Sequence, residues 1–507
     1  MCLLRPLPRP PRHVLQQSPR PTSPRWQFVV AFNRPRPGRV VPNPAPPEEA
    51  VAEYKRRYGR TPPKGFERWV TFALEHGSTI IDDFDQIERD LEPYRTPEAQ
   101  RVVRLLGEDI YGWSGLVRIA IQNGTMIQSD SYIYDQQWKD LIQPFEHALP
   151  DTVLYLNQLD EPRVLASAGP PPSEVTFKDR SGDSITDLIT ESCSQLPRKS
   201  TGYWGPQKDI CQSSNPEKLH GLISSPSSLL YTNSLAPILS IGKMSAFRDI
   251  SIPCPCYLMH GISNSYSPPF MSKVPQVYWR GSTTGSHPSR FTWKHGHRER
   301  FISFTNSLRQ AANILDAGQY LIRTPNTAEQ KRLSLFKDVF DIKVGNYIQC
   351  EDDICLDMEQ ALGPTDREPE DTSMAYRFLY DIDGNSMSTR FYRLLSQKAV
   401  VLKQTWFQEW HDDRLIPWAH FIPVSMTMEE LPDLLNYLIN DPEGEKLSEQ
   451  IAEAAYAQSH HTLRQVDMSI YLYRLFLEMA GLFGPKRSED PKIVREETAS
   501  EEITNNL

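Results

Sequence analysis

The strongest constraint on the fold of this 507-residue chain is the stretch "MAYRFLYDIDGNSMSTRFYRLL", which runs from Met374 to Leu395. An apolar run from Tyr376 to Ile382 ends in a Gly-Asn-Ser turn, and a helical pattern begins directly afterwards. A strand that turns tightly into a helix presents free backbone N–H groups and the positive end of the helix dipole to one point. Arg390 falls within the first turns of that helix, where its guanidinium can close on the same anion. The stretch therefore predicts a phosphate-binding turn that suits a nucleotide diphosphate.

The rest of the chain predicts an α/β fold around this turn. From Leu116 onward, short apolar runs alternate with helical patterns. The runs "TVLYLN", "PQVYWRGS", "YRFLYDIDG", "KAVVLK" and "HFIPV" are typical of strands separated by helix-length segments. Amphipathic helices are expected before them, between Glu48 and Gly77, and after them, between Leu447 and Met479. Two such α/β halves would meet at a cleft, and ligands bind beyond the carboxyl ends of the strands.

Composition excludes several classes of protein. Residues 1–47 hold thirteen Pro, eight Arg and no Asp, Glu or Lys, so this leader cannot bury a core and is expected to be disordered. No folded nucleic-acid module accompanies its arginines, and we expect no nucleic-acid partner. No apolar run approaches the length that spans a bilayer, and "MCLLRPLPRP" lacks the apolar region of a signal peptide. Membrane association is therefore expected only through a segment that this sequence does not contain.

The seven cysteines fit no metal-binding pattern. Cys193 with Cys211, and Cys350 with Cys355, are close enough in sequence to form local disulfides in an oxidising compartment. Reduced thiols in a cytosolic protein explain the same spacing equally well. No nucleophile elbow, Walker loop, kinase signature or zincin motif is present in the sequence.

Two short segments are candidates to act with the phosphate-binding turn. "WRGSTTG" places Arg280 at a strand end beside Gly281, which allows close backbone approach, and Ser282 follows. "NQLDEPRV" places Asp160 just past a buried strand, where a carboxylate facing the cleft is a natural general base. The alternative for Asp160 is a structural role, in which it caps a turn or pairs with Arg163.

A metal site is the main alternative for the acidic pair in the central stretch. Asp381 and Asp383 form an Asp-x-Asp pair, which in one large class of sugar transferases holds a divalent metal on the diphosphate of the donor. The turn and Arg390 already supply a positive field, so we expect no metal and no other cofactor. Arg298, in the basic cluster "WKHGHRERF", is a further candidate for contact with phosphates, although salt bridging along a helix is the default interpretation of that cluster.

These segments, in this order, resemble glycosyltransferase family 90, which includes fungal capsule-associated glycosyltransferase-like proteins and the Rumi-type protein O-glucosyltransferases. The match is densest in "VYWRGSTTG", "HRERF", "YRFLYDIDGNSMSTRFYRLLSQKAVVLKQ" and "PWAHFIPV". Animal members carry Arg-Gly where this chain has Asp383-Gly384, which leaves the identity of the donor open.

The resemblance implies a GT-B fold of two Rossmann-like lobes and a metal-independent, inverting transfer of xylose or glucose. The sugar would move from a UDP-sugar to a hydroxyl of a glycan or glycoprotein, in the Golgi or ER lumen. Asp160 would be the catalytic base, and Arg390 the essential cation at the diphosphate. The residues expected to bind the donor are Arg280, Gly281, Ser282, Gly384, Asn385, Ser386, Met387, Ser388, Thr389, Arg390 and Arg298. A metal-dependent transferase that uses the Asp-x-Asp pair and an inactive glycan-binding protein are the alternatives.

The predicted domain limits follow from the composition and the resemblance together. After the leader, residues 48–275 should form N-terminal helices and the acceptor-side lobe, and residues 276–430 the donor lobe. Residues 431–485 should form helices that pack across both lobes, and residues 486–507 a disordered acidic tail.

Overall fold

The structure is a computed structural model that describes residues 47–106, 115–128, 132–165, 174–195, 208–262, 266–316 and 334–484. The predicted leader, apart from Pro47, and the predicted acidic tail lie outside the described residues.

The described residues alternate between helices and strands. The strands are β1 Leu116–Gln122, β2 Thr125–Gln128, β3 Thr152–Asn157, β4 Lys178–Asp179, β5 Leu230–Tyr231, β6 Ile238–Ser240, β7 Ile250–Ser251, β8 Val274–Ser282, β9 Phe340–Asn346, β10 Tyr376–Ile382, β11 Val400–Gln404 and β12 Ile422–Pro423. The α-helices are α1 Pro47–Tyr58, α2 Phe66–Glu75, α3 Asp85–Leu91, α4 Pro97–Leu105, α5 Asp135–Ile142, α6 Thr186–Gln195, α7 Gly221–Ser224, α8 Tyr257–His260, α9 His297–Asp316, α10 Asp352–Leu362, α11 Phe391–Leu395, α12 Leu431–Asn440, α13 Pro442–Thr462 and α14 Gln465–Phe483.

The first five-stranded sheet has the order β2-β1-β3-β6-β7. β1 pairs antiparallel with both β2 and β3, whereas β3, β6 and β7 are parallel to one another. β3 was expected as a buried strand, and five of its six residues are buried. The sheet is therefore mixed, while a regular Rossmann-like half would have been mostly parallel.

The second five-stranded sheet has the order β12-β11-β10-β8-β9 and is parallel throughout. Its central strand β10 is buried along most of its length, as expected for a parallel strand covered on both faces. Phe378, Tyr380 and Ile382 face one hydrophobic core, and Leu379 faces the other. The chain enters this sheet at β8, adds β9 on one side and then β10 on the other. The strand order thus reverses between β8 and β10, which is where ligands bind in open α/β sheets.

Helices cover both sheets, and the last helix packs against an early one. α13 packs against β11, with Ile451 and Ala452 in the core of the second sheet. α14 packs against α2, α5 and β3, so the last helix completes the core of the first sheet. The α/β class predicted from the sequence is confirmed.

Three disulfides join Cys193 to Cys211, Cys254 to Cys256, and Cys350 to Cys355. Two of these are the local pairs that the spacing had left open. Among the described residues, no helix is both long enough and apolar enough to cross a membrane.

Candidate functional site

The candidate site lies at the carboxyl ends of β8 and β10, where the strand order of the second sheet reverses. A pocket of about 170 Å³ opens there. Its lining comes from the loops that follow strands β3, β6 and β7 of the first sheet and β8 and β10 of the second, with one residue before α5 and one from α9. The lining residues are Tyr134, Asp160, Ile241, Cys254, Thr284, Arg298, Gly384, Asn385, Ser386, Met387, Ser388, Thr389 and Arg390. The structure therefore brings the predicted base, Arg298 and the whole predicted turn to one pocket.

The turn after β10 is held in shape from within. The backbone N–H of Gly384 donates to the carbonyl of Ser386 at 2.8 Å, and the hydroxyl of Ser388 donates to Asp381 Oδ1 at 2.6 Å. The helix that follows, α11, is only five residues long, and Arg390 is its N-cap. Such a short helix supplies little dipole field, so the positive potential of the pocket has to come mainly from side chains.

Arg298 supplies one of those positive charges. Its guanidinium is buried and donates to backbone carbonyls of Asp383 (2.7 Å) and Ser282 (2.7 Å) and to the hydroxyl of Thr284 (2.6 Å). These acceptors are all neutral, and among the described residues Arg298 makes no ion pair. Burial, with a smaller contribution from the nearby charge of Arg390, lowers the pKa of Arg298 to about 9. A buried cation held only by neutral acceptors is suited to receive an anion from the pocket.

Arg390 supplies the second charge. Its Nη1 donates to the carbonyl of Arg280 at 2.5 Å and its Nε lies 3.4 Å from Ser388 Oγ, whereas Nη2 is buried without a hydrogen-bond partner. Burial lowers the pKa of Arg390, and among the described residues this group also makes no ion pair. An unsatisfied buried N–H at the wall of a pocket costs free energy that a bound anion would recover.

Gly281 makes room for Arg390. A Cβ at this position would lie 2.8 Å from Arg390 Nη1 and 2.6 Å from the ring of Trp279. The same indole ring lies under both guanidinium groups, with its centroid 5.7 Å from Cζ of Arg390 and 5.9 Å from Cζ of Arg298. Gly281 was predicted to let a ligand approach the backbone closely. It instead makes room for the side chain of Arg390, and Gly281 itself does not line the pocket.

Asp160 faces the two arginines from the first sheet, just after β3. Its side chain is open to solvent inside the concave pocket, and its Oδ2 lies 3.3 Å from Nδ2 of Asn385. Desolvation by the surrounding protein raises the pKa of Asp160, while the hydrogen bond from Asn385 opposes that shift. The alternative pairing with Arg163 is not formed, because the Arg163 guanidinium donates to the carbonyls of Leu230 and Gly115.

Besides Gly281, two more of the predicted donor contacts lie outside the pocket lining. Arg280 is directed away from the pocket, and its Nη2 pairs with Asp341 (2.8 Å), Glu368 (3.1 Å) and Asp366 (3.4 Å). Ser282 contributes the backbone carbonyl that accepts from Arg298. Arg280 and Ser282 therefore support the positions of Arg390 and Arg298 through their backbone, and a direct contact with a donor stays a prediction.

Both carboxylates of the Asp-x-Asp pair are buried and accept hydrogen bonds from other protein groups. Asp381 is fully buried, and its Oδ2 accepts from Nζ of Lys403 at 2.7 Å. Asp383 is also fully buried, and its Oδ2 accepts from the backbone N–H of Trp406 at 3.1 Å. Within the described ranges, no group of three or more His, Cys, Asp or Glu side chains could hold a metal ion.

Sequence reasoning missed a buried pair of histidines beneath the turn. His220 and His297 stack with ring centroids 3.8 Å apart, and His297 Nε2 lies 2.8 Å from the carbonyl of Asp383. Burial lowers the pKa of both, to about 3 for His220, so both rings are neutral. His297 was assigned to a helix-face salt-bridge cluster. His220 carries no local signal, since its partner Asp383 lies 163 positions away.

Comparison with known proteins adds an independent line of evidence. Residues 333–504, about a third of the chain, match the family model described as glycosyl transferase family 90. An "O-glucosyltransferase rumi homolog" from Anopheles gambiae is 34% identical over 123 residues, which is 24% of this chain and 30% of that protein. A protein of the same description from Aedes aegypti is 28% identical over the same lengths. The chain thus spans about 30% of the length of these curated relatives.

The predicted resemblance to glycosyltransferase family 90 is confirmed by these matches. The matched range contains the turn from Gly384 to Arg390 but not Asp160, Arg280 or Arg298. The roles of those three residues are therefore proposed from geometry and from the sequence motifs.

Proposed function

Starting from the resemblance of this chain to glycosyl transferase family 90, we propose that the protein is an inverting glycosyltransferase that uses a UDP-sugar. The observation that carries the proposal is the pair of buried guanidinium groups, Arg298 and Arg390, which line one pocket without a carboxylate partner among the described residues. Two unpaired cations beside a turn rich in backbone N–H groups match the charge and geometry of a diphosphate. Asp160 faces them across the same pocket.

The proposed reaction follows from the position of Asp160 across the pocket from the two arginines. Asp160 takes the proton of the acceptor hydroxyl, and the hydroxyl oxygen attacks C1 of the sugar as the bond from C1 to the diphosphate oxygen breaks. Negative charge grows on the leaving UDP, where Arg298, Arg390 and the N–H groups of the turn stabilise it. A preorganised donor of this kind is typically worth roughly 3–4 kcal/mol in the transition state.

The pocket is smaller than a whole nucleotide sugar requires. Its volume of about 170 Å³ is below the roughly 300–1,000 Å³ of typical ligand sites. We propose that this pocket holds the diphosphate and the reacting end of the donor. The two sheets would then separate to admit the rest of the donor, as expected of the two lobes of a GT-B fold.

The donor sugar is proposed to be glucose or xylose. The names of the two relatives, O-glucosyltransferases, favour glucose. The acceptor is proposed to be a hydroxyl of a glycan or glycoprotein in the Golgi or ER lumen, and three disulfides are compatible with that compartment.

The test is UDP release from UDP-glucose and UDP-xylose, with water or a simple sugar as acceptor, with and without EDTA. We expect release that EDTA leaves unchanged, because both carboxylates of the Asp-x-Asp pair are buried away from the pocket. Loss of activity in EDTA and recovery with manganese would support the metal-dependent alternative. UDP binding by calorimetry without turnover of either donor would support the inactive, binding-only alternative.

A further inference from the structure

Asn385 was expected to contact the donor, but its side chain spans from the phosphate-binding turn to the base. Its Oδ1 lies 2.9 Å from the backbone nitrogen of Gly285, in the loop after β8. Its Nδ2 lies 3.3 Å from Oδ2 of Asp160, which follows β3 in the other sheet. One side chain therefore connects the carboxyl-terminal edges of both sheets at the pocket.

The orientation of this amide is fixed by its partners. The backbone N–H of Gly285 can only donate, so the oxygen of the Asn385 side chain must face it. The amide nitrogen then faces Asp160. The ionised carboxylate of Asp160 accepts hydrogen bonds and cannot donate them. Nδ2 therefore donates a charge-assisted hydrogen bond to the form of Asp160 that acts as a base.

Among the residues that the structure describes, few other groups compete for Asp160. Glu161 is the next residue in the chain, but its carboxylate accepts from Ser227 and Ser228 on the interior side. Burial, with a smaller contribution from the nearby charge of Asp160, raises the pKa values of Tyr132 and Tyr134, so both side chains are neutral phenols. The two cations in the same lining, Arg298 and Arg390, donate to other acceptors.

We propose that Asn385 is a positioning residue for the proton-accepting carboxylate of Asp160, coupling the order of the phosphate-binding turn to the orientation of the base. This inference rests on the proposed function, because it assumes that Asp160 takes a proton from the acceptor. It differs from the sequence-based prediction, in which Asn385 contacts the donor. The two roles separate experimentally: a positioning residue controls the pH dependence of kcat, whereas a donor contact controls donor affinity.

The main test variant is Asn385→Asp, measured as UDP release from UDP-glucose with water as the acceptor across a range of pH. The new carboxylate keeps an oxygen for the N–H of Gly285 but replaces the donor to Asp160 with a like charge. The acid limb of kcat should move to higher pH, and kcat at pH 6 should fall by roughly 10- to 100-fold.

Asn385→Ala is a second variant for the same measurement, in case the aspartate variant does not fold. It removes the hydrogen bond without adding charge, so the acid limb should move in the same direction while the affinity for UDP, measured by calorimetry, stays at the wild-type value. Bound UDP also reports that each variant is folded.

Gln349→Asn is the matched control. Gln349 Oε1 lies 3.3 Å from the same backbone nitrogen of Gly285, and Gln349 does not line the pocket. Its φ of 60° is one that asparagine tolerates. The shorter side chain withdraws from Gly285, so a purely structural effect on that loop would appear here too. We expect the wild-type pH profile.

Wild-type pH profiles in both Asn385 variants would overturn the inference, as would loss of UDP affinity in Asn385→Ala with kcat unchanged. A change of the pH profile in the Gln349→Asn control equal to that in the Asn385 variants would also overturn it. Failure of the wild-type protein itself to release UDP would instead refute the proposed function.

Discussion

At the scale of single residues, the distinguishing feature of the pocket is that its two arginines have no carboxylate partner among the described residues. Arg298 and Arg390 are buried, yet among the described residues their hydrogen bonds go only to carbonyls and hydroxyls. Arg280, which lies 18 positions before Arg298 in sequence, is surrounded by three carboxylates. On this contrast we propose anion binding for the first two arginines and a structural ion cluster for the third.

Arg390→Lys should weaken UDP binding although it keeps the charge. A lysine ammonium lacks the planar fork that donates to the carbonyl of Arg280 through Nη1 and leaves Nη2 as a second donor without a partner among the described residues. We expect a loss of roughly 1.5–3 kcal/mol in the free energy of UDP binding, measured by calorimetry. Arg367→Lys, at an exposed arginine outside the pocket, is the control and should bind UDP as the wild type does.

The pH dependence of activity should report the environment of Asp160. Desolvation by the surrounding protein raises the pKa of this carboxyl, and only its ionised form can accept a proton. Activity is therefore expected to rise with pH through a value above the ordinary range of aspartate, in a profile of kcat/KM for UDP-glucose. An acid limb at or below the ordinary range would indicate that another group is the base.

At the scale of elements, the site depends on two crossovers in one parallel sheet. β8 and β10 are neighbours in space, and the loops that follow them meet at the point where the strand order reverses. Strand β8 itself also shapes the site, because the missing side chain of Gly281 leaves the space that Arg390 occupies.

Gly281→Ala should reduce UDP affinity, since the added Cβ would lie within 2.8 Å of Arg390 Nη1 and must displace it. Gly345, in the adjacent strand β9, offers a matched control. A Cβ there would have its nearest neighbour at 3.7 Å, an ordinary contact. We expect Gly345→Ala to bind UDP normally. Equal UDP affinity in both variants would contradict the role given to Gly281.

The strand-turn-helix stretch was predictable because its signals are local. The apolar run, the Gly-Asn-Ser turn and the arginine after it lie within 22 residues, and β10 occupies the residues expected, Tyr376 to Ile382. The contacts that complete the site are not local. The hydrogen bond from Asn385 to Asp160 spans 225 positions, and the acidic partners of Arg280 lie more than 60 positions away. Periodicity carries no information about such pairs.

The antiparallel part of the first sheet was missed for a related reason. Runs such as "TVLYLN" predict a buried strand but not the direction of its neighbours. The pairing of β1 with β3 is set by which strand lies beside β3 in the folded sheet.

At the scale of the whole molecule, the two ends of the described chain are packed together. Glu478 in α14 pairs with Arg474 at 3.1 Å and accepts a hydrogen bond from Tyr54 in α1 at 3.0 Å. Arg474 is buried among the rings of Tyr54, Phe66 and Trp69. The stability of the first sheet therefore depends on residues more than 400 positions apart in sequence.

Glu478→Gln should destabilise the protein, because it leaves the buried guanidinium of Arg474 without its counter-charge. The expected loss in the free energy of unfolding is about 3–5 kcal/mol by denaturant titration. Asp353→Asn is the control: it breaks an exposed pair with Arg290 and should cost no more than about 1 kcal/mol. Similar losses in the two variants would contradict this account of the packing.

The most direct test of the central claim is UDP release from UDP-glucose and UDP-xylose by the wild type and by Asp160→Asn, with UDP affinity measured in parallel. The substitution keeps the shape of the side chain and an oxygen for Asn385 but removes the base. We predict release by the wild type with at least one donor, a loss of at least about 100-fold in the variant, and equal UDP affinity in both. A folded wild-type protein that neither binds UDP nor releases it would contradict the claim, as would full activity in Asp160→Asn.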